Sequence, residues 1–207
     1  MSRILLIGGG GFAKEVHEIA ELSAFQVIGH LADTPGIVKV PYLGQIEQVG
    51  QLRDKFDFLV IAFAAVDRKS IARRSALIAR LEALSFRFAS LISPHAVVSR
   101  GAEIGPGSIV AHGVVLSVDT TIGAHVVLNT SAIVGHDAVV ADRTIIAPGA
   151  FIGGAASIGA DCLIGPNSTV LQARSVGDNA IVSLGGIVKR NLDSGMTILP
   201  NSSKALK

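Results

Sequence analysis

Cysteine occurs once in the 207 residues, at Cys162, so no internal disulfide framework can hold the fold. Tryptophan is absent, and eight Phe with one Tyr are too few for a core built around large rings. The longest uninterrupted apolar run, Phe58 to Val66, falls far short of the roughly 20 residues of a spanning helix. A mean hydropathy of +0.55 therefore has to be explained without a membrane. Charge is scarce in both signs: 18 basic against 16 acidic residues leave +2, no field suited to nucleic acid. Met1-Ser2-Arg3-Ile4 runs straight into an apolar stretch and a glycine cluster, with no leader core or cleavage site. A soluble, cytoplasmic protein is expected, its hydrophobicity buried as aliphatic and small side chains.

What the chain has in excess is glycine, 23 residues or about 11% against a usual ~7%. Charge is also unevenly placed. Residues 1–91 hold 20 charged side chains and residues 92–187 only 9, which predicts a boundary near Leu91. The first segment alternates strand and helix patterns: strands at Arg3–Ile7, Phe25–Leu31 and Phe58–Ala62, helices at Phe12–Leu22 and Asp67–Leu84. That alternation implies a small parallel sheet. The arginines of the last helix, Arg68, Arg73, Arg74 and Arg80, read as a solvated face.

From Ile92 the chain repeats every six residues. Seventeen consecutive positions, Ile92, Val98, Ile104 and so on to Val188, are aliphatic without an insertion. The next position is often glycine, and the position four on is usually small; Arg174 breaks that rule. A hexad repeat of this kind fits a solenoid in which each six residues make one short strand and a turn. Only small residues fit beside the stacked aliphatics, which accounts for the glycine excess and the missing aromatics together.

This register resembles the hexapeptide-repeat acyltransferases, whose three hexads per turn make a left-handed parallel β-helix. The resemblance, not the periodicity, supplies the handedness. Eighteen residues per coil then predict about five coils, with residues 18 apart stacked on one edge. His95 and His112 fall on neighbouring columns; His125 and His136 fall on two others. A zinc enzyme would need a third imidazole beside His95 and His112, supplied by a neighbouring subunit. His95, His112 and His125 otherwise read as solvated corner residues.

His136 is followed by Asp137, in Asn129-Thr130-Ser131-Ala132-Ile133-Val134-Gly135-His136-Asp137. A glycine-rich head ahead of such a repeat is similar to the bacterial sugar acetyltransferases of the PglD/NeuD type, over Ile4 to about Lys204. The expected architecture is a Rossmann-like nucleotide-sugar-binding domain at 1–91, then a left-handed β-helix carrying acetyl-CoA and the chemistry at 92–207. The resemblance implies acetyl transfer from acetyl-CoA to the amino group of a nucleotide-linked 4-amino sugar. It also implies a homotrimer with sites between subunits, and no metal. An amine must lose a proton as it attacks a thioester, and an imidazole is suited to take it. His136 is the expected base, with Asp137 fixing its tautomer; Asn129 matches a family asparagine near the site. The column of His136 reads Arg100, Val118, His136, Gly154, Gln172, Arg190. Gly154 is expected to offer an unblocked backbone N–H to the oxyanion, and Gln172 and Arg190 to flank coenzyme A. Cys162, at an inward small position, reads as a small hydrophobe and not as an acyl carrier.

In the head, Gly8-x-Gly10-x-x-Ala13 with Asp33 further on matches a dinucleotide fingerprint. That match alone points to an NAD-dependent oxidoreductase, but three strands are half of a full dinucleotide fold. Gly8, Gly10, Gly11 and Asp33 are therefore assigned to a nucleotide sugar. Several positions depart from the family pattern: Phe12 and Ile145 stand where it has histidines, Ala32 where it has an acid, and Ala65 and Val66 where it has polar residues. O-acetylation of a sugar such as sialic acid is the nearest rival function, and an inactive sugar-nucleotide sensor a further one.

Overall fold

The computed structural model describes residues 1–199; the end of the resemblance at Lys204 and the rest of 200–207 lie outside the described residues. The head consists of β1 (Arg3–Ile7), α1 (Gly11–Leu22), β2 (Gln26–Leu31), a 3₁₀ helix (Ile46–Lys55), β3 (Phe58–Ile61) and α2 (Arg68–Ala83). The strands form a parallel sheet in the order β2-β1-β3. β1 from Ile4 and β3 are continuous apolar runs because both faces are covered, while β2 at the edge carries Gln26 and His30. Ile4, Leu6 and Val60 pack with Ala13, Val16 and Ile19 of α1 on one side. Leu5, Ile7, Leu59 and Ile61 pack with Ile78 and Leu81 of α2 on the other. Asp67 caps α2 by accepting the Ser70 N–H at 2.7 Å. In the 3₁₀ helix, Ile46, Val49 and Leu52 recur every three residues and face the core; a reciprocal Gln45–Gln48 cap starts it.

From Leu91 the chain is a left-handed parallel β-helix of two-residue strands, seven on the first face, six on the second and five on the third. Every pairing from Leu91–Ile109 through Thr169–Ile187 joins residues 18 apart, the spacing the hexads predict. The hexad aliphatics from Val110 to Val188 point inward and are at most 2% exposed. Ile92 and Val98 are more than a third exposed because the end coil has a neighbour on one side only. At fifteen successive turns, every sixth residue from 101 to 185 holds a left-handed backbone, with φ between 52° and 76°. Glycine fills only five of these positions; Asp, Asn, Ser, His, Arg and Ala take the others at a steric cost.

The column Ser90, Ser108, Thr144, Cys162 shares one device. Each side chain donates to the carbonyl 15 residues on, at 2.9, 2.8, 2.7 and 3.1 Å. Cys162 is thus a hydroxyl surrogate in a buried ladder as well as a small hydrophobe, and burial pushes its thiol up to about 11. The last coil is two residues short, since Ile181 pairs with Thr197 and Val176 bridges Leu192. Arg174 lies just ahead of that break and is exposed, so its long side chain at a small position has a way out to water.

The head covers the first face. Val127 and Ile145, which point outward from that face, are buried with Ala65 and Ile71, and Phe12 packs on the same cluster. Three departures from the family pattern, Phe12, Ala65 and Ile145, are therefore one apolar contact. Beside it the expected solvated arginine face is corrected at Arg74 alone; Arg68, Arg73 and Arg80 are exposed. Arg74 is 1% exposed and donates to the carbonyls of His125 (2.9 Å) and Arg143 (3.4 Å). Arg68 donates to Asn179 O at 2.6 Å. Residues 125, 143 and 179 belong to one column of left-handed turns, so α2 reads a ladder of carbonyls along the edge between third and first faces. Burial pushes Arg74 down to about 10, against the attraction of Asp161.

Candidate active site

His136 and Asp137 occupy the turn between second and third faces. Asp137 holds φ 58°, a conformation that acidic side chains tolerate better than most. Its carboxylate oxygen lies 2.7 Å from His136 Nδ1, which places the proton on Nδ1 and leaves the Nε2 lone pair free. Both side chains are exposed. The pairings Val134–Ile152, Ile152–Val170 and Val170–Val188 carry the register upward, so Gly154, Gln172 and Arg190 stand above His136 along this edge. A methyl group at Gly154 would lie 2.5 Å from His136 Nε2, so only glycine leaves room for the imidazole. The Gly154 N–H has no acceptor among the described residues. Gln172 and Arg190 are exposed further along. This edge thus aligns a free imidazole nitrogen with an unused N–H donor.

Asn129 is not beside His136 in the same chain. It follows a first-face strand and lies on the edge between first and second faces, 9% exposed. His95 and His112 share that edge, with ring centroids 5.5 Å apart. His112 Nδ1 is bonded to Ser93 Oγ at 2.7 Å. Among the described residues, no group of three or more His, Cys, Asp or Glu is arranged to hold a metal ion. His125 corrects the expectation of a solvated corner: it is 2% exposed, beneath Phe88 and bonded through Nε2 to Glu82 at 3.0 Å. Burial pushes its imidazole below the ordinary value, against the pull of Glu82.

In the head, Gly8 holds φ 117° with its Cα close to Ala62, and Gly10 precedes α1 as a cap without a side-chain bond. Gly10 and Gly11 face open space. A hollow of about 580 Å³ opens at the carboxyl ends of the strands, lined by Gly8, Asp33, Phe63, Ser70, Arg73 and Leu77. A second, of about 360 Å³, adjoins it along Gly9, Gly10, Asp33 and Ile37. This is where open parallel sheets bind ligands. Asp33 is paired with Arg73. Arg73 was legible only as a charged helix position; its role in the hollow needs the docking of α2 on β3. The head covers the first face, and the edge of His136 is the one edge that face does not touch. The hollow and His136 of a single chain are therefore apart.

The PglD N-terminal domain model matches residues 3–74, and the bacterial transferase hexapeptide (six repeats) model matches residues 119–154. No curated protein matches the chain by sequence. Among solved structures, PerB of Caulobacter crescentus, in complex with CoA and GDP-perosamine, is 28% identical, with TM-score 0.88 over 95% of this chain and 93% of that one. The acetyltransferase domain of PglB from Neisseria gonorrhoeae, in complex with acetyl coenzyme A, is 27% identical, with TM-score 0.88 over 99% of both. WeeI of Acinetobacter baumannii, at 24% identity and TM-score 0.83, shares the fold. No helix is long and apolar enough to cross a membrane among the described residues. With its head matched by one model, residues 119–154 of its solenoid by another, and two sugar acetyltransferase structures alike over nearly its whole length, the chain is similar to the bacterial sugar acetyltransferases of the PglD type and is an acyltransferase.

Proposed function

We propose that the chain transfers acetyl from acetyl-CoA directly to the amino group of a nucleotide-linked 4-amino-deoxy sugar. The observation that carries this reading is the free Nε2 of His136 against Gly154, with Nδ1 held by Asp137. The neutral amine attacks the thioester carbonyl and the C–N bond forms. Nε2 takes the amine proton, and Asp137 stabilises the resulting imidazolium. The developing oxyanion is received by the Gly154 N–H. Collapse breaks the C–S bond, and His136 returns the proton to the coenzyme A sulfur. Gln172 and Arg190 flank the coenzyme arm. The nucleotide lies at Gly8, Gly10, Gly11 and Asp33. CoA and GDP-perosamine in PerB, and acetyl coenzyme A in the PglB domain, support this choice of partners.

The separation of hollow and base within one chain favours a site shared between copies. The outward residues of the second face include Val97, Ile133, Phe151 and Ile187, each at least 40% exposed. An apolar stripe of that kind marks an interaction surface. It is bordered by the edge of Asn129 on one side and that of His136 on the other. A homotrimer closing over this face brings Asn129 and the head of one copy to His136 of the next.

The test is thiol release from acetyl-CoA with a panel of GDP-, UDP- and dTDP-linked 4-amino sugars, followed by identification of the product. Turnover with one sugar, giving an amide at C4, is expected. Turnover only on sugar hydroxyls, giving esters, overturns the N-acetyl reading.

A further inference from the structure

His30, on β2, is 2% exposed and belongs to no part of the chemistry described so far. Its ring lies beneath the glycine turn: a methyl at Gly9 would be 2.6 Å from Cδ2 and 2.7 Å from Nε2. Tyr42 covers it from another side, with centroids 5.4 Å apart. Nε2 accepts the Gly36 N–H at 3.3 Å, which puts the ring proton on Nδ1. Nδ1 is buried and has no partner. A phenyl ring would fill the same volume without leaving a polar atom unpaired, which costs stability in a buried site. What the imidazole adds is the acceptor for Gly36.

That acceptor fixes a chain of contacts. Gly36 leads into Ile37 and Val38, whose N–H groups both donate to Gly9 O, at 2.7 and 3.2 Å. In a trans peptide the C=O and the following N–H point in opposite directions. Holding Gly9 O against residues 37 and 38 therefore turns the Gly10 N–H the other way, at the N-terminus of α1, where Gly10 and Gly11 face open space. An N–H so directed beside a helix N-terminus suits a diphosphate.

We infer that His30 is a positioning residue, which holds the glycine turn in the conformation that binds the diphosphate of the acceptor. This rests on the nucleotide-sugar reading of the head. GDP, UDP and dTDP are each titrated calorimetrically into the native chain, His30→Phe and His30→Gln, with melting temperatures and steady-state kinetics alongside. The diphosphate that binds the native chain should bind His30→Phe about tenfold more weakly. His30→Gln, whose amide oxygen can accept from Gly36, should restore most of that loss. KM for the sugar nucleotide should rise with the dissociation constant while kcat stays within about twofold. Native-like binding by His30→Phe, a matching fall in kcat, or a glutamine variant no better than phenylalanine overturns the inference. Should His30→Phe not fold, the glutamine variant decides: near-native binding supports it and tenfold weaker binding overturns it. A native chain that binds none of the three diphosphates sinks the nucleotide-sugar reading itself, a failure visible before any variant is made.

Discussion

His125 and His136 lie in one repeat on turns of the same design, one on a left-handed residue and the other just before one. On the edge between third and first faces, α2 closes over the turn. His125 is buried against Glu82 and Phe88, Arg74 clasps its carbonyl, and Asp161 bonds Arg143 at 2.8 and 3.0 Å. On the edge between second and third faces none of the described residues covers the turn, and His136 keeps an unblocked nitrogen. The backbone offers both histidines the same kind of platform. What packs on the platform decides whether the imidazole becomes structure or a candidate for chemistry.

Five variants sharpen or break that comparison. The largest effect is expected from His136→Ala, which should lower kcat by at least about 100-fold while the melting temperature hardly moves. Equal kinetics in the variant would leave the exposed edge without its function. Arg74→Ala should do the reverse, costing about 3 kcal/mol in denaturant unfolding with kcat changed less than about twofold, because removing a buried cation orphans the carbonyls it satisfies. Arg74→Met, which keeps the volume, should cost less.

Gly154→Ala comes next. The added methyl must displace the imidazole, and a shift of about 1 Å in a reacting group can cost on the order of 100-fold in kcat. An unaffected rate would mean that the base does not work from this position. The smallest effect is in pH. His125 has its folded value depressed by burial, so the folded chain binds fewer protons than the unfolded one. Stability should be level above about pH 6.5 and fall as pH drops below it. Burial works to raise Asp161, but the Arg143 and Ser75 bonds and the Arg74 charge outweigh it and hold its carboxyl low. Its contribution should therefore be lost only in more acid solution, below about pH 4. Unfolding midpoints from about pH 2.5 to 8 for the native chain and His125→Gln separate the two, since the variant should lose the first decline alone.

The solenoid was readable because its rule is local and repeated. One aliphatic position in six, followed by small residues, points to stacked hexads, and the resemblance to three-hexad coils implies turns of 18 residues. The head was readable as strands and helices for a similar reason, each element carrying its own apolar period. The 3₁₀ helix was not, because its apolar residues Ile46, Val49 and Leu52 recur every three residues and fit neither the helical nor the strand period. Within the site, His136 came from the Asp137 beside it and from the family resemblance, and Gly154 from counting one 18-residue coil onward. Asp33 was identified without its partner Arg73, which arrives from another element. Phe12, Ala65 and Ile145 looked like unrelated departures in the sequence and are one contact in space.

The sequence by itself determined the six-residue repeat; with the three hexads per turn that the resemblance implies, it also determined the register and the column on which His136 stands, because stacking at a fixed spacing turns residue number into position. It also determined which residues point inward, since only small and aliphatic side chains fit the axis. Tertiary structure alone decided which face the head covers and which histidine is buried. It also decided which arginine of α2 meets carbonyls rather than water. Those outcomes depend on how two differently built parts of the chain meet, and no period within either part encodes the meeting.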